Sequence, residues 1–299
     1  MDKFVSVIIP VLNDTIGLGQ TLTALDNQTY PCDLYEIIIV DNGSTEDLAP
    51  VVGQFSQAKS IQESQPGSYI ARNRGISIAR GEILAFTDSD CIPEANWIEE
   101  GVRQLRSVNN CGLVAGKINF YYQKHNQPTI VELYDSTTFL NQKKYVEQLH
   151  YAATANMFTT KAVMGEVGKF NPDLKSGGDK EWGQRVYDRG YLLVYGADVC
   201  ISHPARASLS EIARKITRTR TGGQDLDMLS ADNKLKLYQQ RASKILWRLK
   251  PPSKSIISKL NYCSDSVNWL QKVQLFGITI VLHYYGVWGD IIGLFLKKK

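Results

Sequence analysis

Three short runs rich in apolar and β-branched residues, each followed by carboxylates, constrain this chain more than any other feature. Residues 5–11 (VSVIIPV), 36–40 (EIIIV) and 83–87 (ILAFT) have the length and apolar content of strands buried on both faces. They run into PVLND, DNGST and DSD. Between them, 17–27 carries Leu18, Leu22 and Leu25 at helical spacing, and 69–80 carries Ile70, Ile76, Ile78 and Ala79 ahead of a stop signal at Gly81. A further helix is read over 93–108 and a strand over 113–120. This alternation predicts a doubly wound parallel sheet with helices on both faces. Ligands of such sheets sit outside the carboxyl ends of the strands, so the polar ends are the candidate site.

Beyond residue 120 the pattern weakens. Residues 121–155 are polar and aromatic, with a helix expected near 129–144 and loops reaching over a site. A short helix is read over 159–167, a stronger one over 181–189 and a late strand over 191–195. After His203 the texture turns to basic helices over 209–221 and 232–250, with another run behind the Pro251-Pro252 breaker. The formal charge of +4 divides unevenly: residues 1–204 hold 17 Lys and Arg against 24 Asp and Glu, and residues 205–299 hold 17 against 6. The last third therefore faces something anionic or forms a solvated basic surface. The five cysteines are scattered, without a C-x-x-C pair, which reads as a reducing compartment rather than a disulfide framework. The apolar run at the start is too short for a secretory signal, and a cytoplasmic protein is expected.

Asp88 and Asp90, two residues apart behind a buried strand, can direct oxygen ligands toward one hard divalent cation such as Mg2+ or Mn2+. Arg72 and Arg74 stand at the start of a helix, where they oppose its dipole; an anionic ligand accounts for them, and surface pairing is the alternative. Asp179, behind Gly177-Gly178, is either a helix cap or a carboxylate placed to accept a proton. His203 offers a neutral imidazole to the same metal or serves structure alone. Gly17 and Gly19, 22 residues before Asp41 in the latter case, imitate a dinucleotide fingerprint, but the turn after the first strand holds no glycine.

Taken in order, VSVIIPVLND, IIIVDNGST, ARNRGI, LAFTDSD, ATANMFTT, GEVGKFNPDLKSGGDKEWGQRV and ISHPAR resemble the family 2 glycosyltransferases of the GT-A fold, over roughly residues 4–206. The resemblance implies a mixed, mostly parallel sheet flanked by helices. It implies a catalytic domain over 1–206, with a nucleotide-binding half to 120 and an acceptor-binding half after it, and a basic helical extension over 207–299. It further implies inverting transfer of a sugar from a nucleotide diphosphate donor, with UDP favoured, assisted by Mn2+ or Mg2+. The expected acceptor is a saccharide or lipid-linked hydroxyl, in polysaccharide or glycolipid synthesis, and no nucleic acid partner is expected.

Carried over residue by residue, Asp41 looks like the contact to the nucleotide base, with Pro10, Val11 and Asn13 completing its cradle. Arg72 and Asn73 fall in the donor-binding helix. Asp88, Ser89 and Asp90 form the metal and donor motif: Asp88 looks like the ribose or water-mediated metal contact and Asp90 like the direct metal ligand, while His203 matches the late histidine that completes metal or diphosphate binding. Asp179 looks like the general base, and Arg185 like the arginine that follows it. Gly178 departs from the family, where many members have Glu, and leaves roles to be divided between Asp179 and Glu181. Arg72, Arg74 and the stretch 214–220 are candidates to share the diphosphate charge.

Residues 273–296 have the length to span a bilayer, but Asp290 and four glycines interrupt them. With the basic charge around it, and Lys272 and Lys297-Lys298-Lys299 as flanks, this run reads as an interfacial helix on anionic lipid. The alternative is a helix buried against the catalytic domain. Two rival functions are a nucleotidyltransferase, which calls for a glycine-rich first loop, and a non-catalytic sugar-nucleotide-binding protein.

Overall fold

The computed structural model describes residues 3–124, 127–229, 233–262 and 267–296. Asp232, Cys263 and Lys297-Lys298-Lys299 lie outside the described residues. The strands are β1 (Val5–Val11), β2 (Tyr35–Asp41), β3 (Ala58–Gln62), β4 (Ile83–Thr87), β5 (Ile92–Pro93), β6 (Cys111–Tyr121), β7 (Asn156–Thr160) and β8 (Leu192–Pro204). The helices are α1 (Thr15–Asp26), α2 (Ala49–Val52), α3 (Ser68–Ile78), α4 (Trp97–Ser107), α5 (Ile130–Thr138), α6 (Gln142–Leu149), α7 (Lys161–Val167), α8 (Gly178–Asp188), α9 (Leu209–Leu229), α10 (Lys234–Arg248), α11 (Ser253–Tyr262) and α12 (Trp269–Leu296).

The chain divides into two compact units, Met1–Phe120 with Leu140–Pro204, and Tyr121–Phe139 with Ala205–Lys299. The first holds a mixed sheet of order β3-β2-β1-β4-β7-β6-β8-β5. Its β3-β2-β1-β4 half is parallel, with Val11 beside Asp41, while β7 runs antiparallel to both β4 and β6. Strands β1 and β2 are Val- and Ile-rich on both faces, because helices cover both. Leu18, Leu22 and Leu25 of α1 and Trp97, Ile98, Val102 and Leu105 of α4 pack with Val7, Ile9, Ile37 and Ile39 in one core.

Several elements differ from expectation. Strand β3 (AKSIQ) reads as polar because it lies at the sheet edge. Thr159 and Thr160 belong to β7 and only α7 is helical, since that strand fills the gap between β4 and β6. The helix expected from 93 starts at Trp97, because Ile92–Pro93 pairs with β8. The single helix expected over 129–144 is two helices. It breaks at Leu140, whose left-handed backbone (φ 58°) is held by the Tyr145 hydroxyl accepting its N–H. The late strand runs on to Pro204. Helix α3 ends at Ile78 with Ala79 as its C-cap, and the Gly81 N–H bonds instead to Ser6 Oγ.

In the second unit, Thr129 and Glu132 form a capping box that starts α5. Leu133 and Tyr134 of α5 pack with Ile212 and Ile216 of α9 and Leu275 and Leu282 of α12. Arg206 binds the buried Asp135 carboxylate through its backbone N–H (2.9 Å) and guanidinium (3.1 Å). Residues 121–139, expected in the catalytic domain, therefore cluster with the C-terminal helices.

Candidate active site

The stretch 214–220 belongs to α9 of the second unit, where Arg220 is paired with Asp290; the other candidate residues lie in the first unit, at the carboxyl ends of β1, β2 and β4 and in the segments that meet them. Asn13 takes the left-handed conformation (φ 52°) that Asn tolerates, turning the chain between β1 and α1. Its N–H donates to Ser44 Oγ (3.0 Å), and its Oδ1 accepts from the Thr45 N–H (2.7 Å). Asp41, buried at the end of β2, accepts the Ser44 N–H at 2.8 Å. Asn13 and Asp41 thus clamp the DNGST loop, with Val11 buried and Pro10 beside Val40 in the register. Asp14 caps α1 at the Gly17 N–H and accepts from Ser89 Oγ at 2.7 Å, which links the ends of β1 and β4. Gly17 and Gly19 lie inside α1, not in a phosphate-binding turn.

Asp88 is ion-paired with Arg72 of α3. Arg72 is buried, and its Nε has no hydrogen-bond partner among the described residues. Asn73 is spent differently: its amide brackets Phe170, donating to the carbonyl (2.7 Å) and accepting the N–H (3.1 Å). It braces the 170 loop from within α3, the helix that the resemblance implies binds the donor. Arg74 is exposed.

Asp90 lies 113 positions from His203, and a two-residue strand brings them together. Ile92 pairs with Ser202 and Pro93 with Ile201, which places His203 Nε2 3.8 Å from Asp90 Oδ2. His203 Nδ1 is 2.7 Å from the Pro204 carbonyl, so that nitrogen carries the proton and the Nε2 lone pair faces Asp90. Cys91 completes a group whose ligand atoms all lie within 4.8 Å of one another. Burial, with the charges of Asp90 and Asp88, pushes the Cys91 thiol well above its ordinary range, and soft sulfur is a poor ligand for a hard cation. One carboxylate oxygen and one neutral imidazole remain, a donor set that fits Mn2+ or Mg2+.

Asp179 opens α8 behind Gly177, whose backbone is left-handed (φ 83°). Its Oδ1 accepts from the Tyr69 hydroxyl (3.1 Å) and the Lys180 N–H (2.9 Å). A Cβ at Gly178 would fall 2.8 Å from the Tyr69 ring, so the glycine admits that ring. Burial first, and then the Asp179 charge, pushes the Tyr69 hydroxyl far up. Tyr145 and Tyr151 stack at 4.6 Å, and both hydroxyls are pushed up by burial with a contribution from Asp179. Glu181 is committed elsewhere: Arg185 grips it with Nε (2.6 Å) and Nη2 (3.0 Å) while donating to the Val167 and Lys169 carbonyls. Tyr69 was overlooked in the sequence although it stands three residues before Arg72. Its guanidinium lies 5.9 Å from the Tyr69 ring centre, so contacts run from Asp179 through Tyr69 and Arg72 to Asp88.

The sequence model described as "Glycosyl transferase family 2" matches residues 6–168. Glycosyltransferase AglE of Haloferax volcanii is 41% identical over 224 residues, covering 73% of this chain and 72% of that protein. A Methanococcus voltae dolichyl N-acetyl-alpha-D-glucosaminyl phosphate glucuronosyltransferase is 23% identical over 71% of this chain and 70% of its own. In fold, the chain is similar to mannosyltransferase PcManGT of Pyrobaculum calidifontis, solved with GDP-Man and Mn2+ (TM-score 0.68, 16% identity, 100% of this chain and 89% of that one). With a match over more than half its length and a close relative along most of both chains, this chain belongs to glycosyl transferase family 2 and is a glycosyltransferase.

Proposed function

We propose that this enzyme transfers a sugar, with inversion, from a nucleotide diphosphate donor to a hydroxyl acceptor, and that Asp179 is its general base. The observation that carries the reading is the approach of His203 Nε2 to Asp90 at 3.8 Å, a donor pair for a hard cation at the strand ends. Bound there, Mn2+ or Mg2+ supplies Lewis-acid neutralisation of the departing diphosphate. Asp90 and His203 would hold the cation, and Arg72 fixes Asp88 at the end of the same strand. Asp41, with Pro10, Val11 and Asn13, cradles the base, and the loop it braces closes around the nucleotide. Asp179 accepts the proton of the acceptor hydroxyl as that oxygen attacks the anomeric carbon and the nucleotide diphosphate leaves.

Asp179 is favoured over Glu181 because Glu181 is already paired bidentately with Arg185. The acceptor is read as a saccharide or a lipid-linked compound; the Methanococcus relative is named for a dolichyl sugar phosphate. UDP is the nucleotide we favour, although no motif dictates it, whereas the Pyrobaculum neighbour was solved with GDP-Man. The reaction is read as cytoplasmic, in keeping with the free Cys32, Cys91, Cys111 and Cys200 among the described residues. Calorimetric titration with UDP, GDP and TDP, each with and without Mn2+, tests the donor site. Metal-dependent binding of one nucleotide, lost in Asp90→Ala, is expected. Absence of binding by folded protein overturns the reading in favour of a non-catalytic role.

A further inference from the structure

Helix α12 is long and apolar enough to cross a membrane by length and composition, yet its polar chemistry is turned toward its own unit. Buried Asp290 accepts through one oxygen, Oδ2, from both Arg220 of α9 and Arg248 of α10. His283 Nε2 donates to the Arg248 carbonyl at 2.8 Å. Gly286 lets the Arg220 guanidinium lie against the helix, since a Cβ there would fall 2.3 Å from its Nε. Leu275, Thr279 and Leu282 are buried on this same face.

The opposite face is apolar and uncovered. Leu270, Val273, Val281, Tyr284, Trp288 and Ile292 are all exposed, Val281 at 66% and Trp288 at 63%. Their spacing, with Gly277 between, sets them in one stripe of a 3.6-residue helix, and no charged residue interrupts it. At 1.5 Å per residue the stripe runs about 33 Å. Exposed Trp247 and Leu249 extend it sideways at the end of α10, where the Leu249 carbonyl accepts the Tyr284 hydroxyl (3.2 Å). A helix that faces water carries charges on its outer side; here the charges are inside and the outside is Val, Leu, Ile, Trp and Tyr.

We propose that α12 lies in the plane of an anionic lipid surface, its Leu270-to-Ile292 stripe sunk into the boundary between headgroups and acyl chains. Crossing the bilayer is disfavoured, because it would carry Asp290 and its two arginines into hydrocarbon or tear them apart. Lying flat leaves that triad intact. The lipid is anionic because residues 205–299 carry 17 Lys and Arg against 6 Asp and Glu. Aromatic side chains along the stripe suit the interface, one end wet and the other apolar. This contact is independent of the donor site, and it is measured without nucleotide.

The test is co-sedimentation of the full chain with phosphatidylcholine vesicles, with or without phosphatidylglycerol. Binding is expected only with phosphatidylglycerol, and it should weaken in high salt. The Val281→Asp/Trp288→Asp variant, altered only at exposed positions, should bind about tenfold more weakly or less with unchanged circular dichroism. In the unaltered protein, lipids brominated near the headgroup should quench tryptophan fluorescence more than those brominated at the chain end. Equal binding to both vesicle types, no effect of the double variant, or resistance of the membrane-bound protein to carbonate extraction overturns the proposal. So does a dimer in solution that the same variant dissociates, which assigns the stripe to a second copy of the chain.

Discussion

The Tyr69 hydroxyl donates to Asp179 Oδ1 at 3.1 Å, tying the first turn of α3 to the first turn of α8 across 110 positions of sequence. Tyr69 is buried, and its ring also reaches the guanidinium that holds Asp88. One side chain therefore orients the proposed base and touches the support of the metal motif.

Replacing that tyrosine separates hydrogen bonding from packing. Tyr69→Phe keeps the ring but removes a donor to a carboxylate, and a lost donor favours the protonated form. The acid limb of the kcat/KM profile should move to higher pH, and kcat at neutral pH should fall about tenfold, the worth of one charge-assisted hydrogen bond. A profile that does not move would show Tyr69 to be packing alone.

Asp179 and Glu181 sit two positions apart in the same first turn, and Glu181 is locked by Arg185. Asp179→Asn should cut kcat by about 10²–10⁴ with nucleotide affinity unchanged, as loss of a general base does. Glu181→Gln should keep kcat within about threefold and cost about 1 kcal/mol of stability, because its pair with Arg185 is partly solvated. The opposite pattern in steady-state kinetics would exchange the two roles.

The donor set makes a similar contrast. His203→Ala should weaken Mn2+-dependent nucleotide binding by about tenfold or more, whereas Cys91→Ala should leave it within about twofold. The cysteine variant is expected to cost only packing, because soft sulfur is a poor ligand for a hard cation. Calorimetry showing the metal dependence lost with Cys91 would make the thiol a ligand after all.

The strand ends were legible in sequence because buried parallel strands must be apolar throughout and must then stop: 5–11, 36–40 and 83–87 declared both. What stayed hidden depends on partners far along the chain. Nothing near Ile92 announces that two residues will pair with β8, although that bridge seats His203 beside Asp90. The edge strand β3 lacks the apolar signal because one side has no neighbour. Thr159 and Thr160 suit a strand or a helix start, and only the gap between β4 and β6 decides. Asn73, read in the donor-binding helix, turned out to grip the Phe170 backbone 97 positions away.

Gly178 tests how tightly α8 is seated. Its missing Cβ is the space taken by the Tyr69 ring. Gly178→Ala should cost about 1–3 kcal/mol by overpacking, read from urea unfolding. By displacing the ring it should also reproduce the pH-profile shift of Tyr69→Phe. A stable variant with an unshifted profile would mean that the ring moves aside freely.

The last expectation concerns the end of the sheet remote from the site. Glu36 opens β2 and is buried, yet it gathers Ser6 Oγ (2.7 Å), Lys59 Nζ (2.7 Å), and the Arg80 N–H (2.8 Å) and Nε (3.0 Å). Burial pushes its carboxyl up, but the bonds from Lys59, Arg80 and Ser6 outweigh burial and hold it down to about 2. A carboxyl lower in the folded chain than its ordinary 4.5 stabilises the fold above that ordinary value. The contribution, on the order of 3 kcal/mol, is lost as pH falls from about 4.5 toward 2. Glu36→Gln should therefore be less stable than the parent at pH 7, and the difference should shrink steadily through that window. Asp41, at the opposite end of the same strand, should still support nucleotide binding at pH 7. A constant stability difference from pH 7 to pH 2 would mean that Glu36 acts through packing and not through its charge.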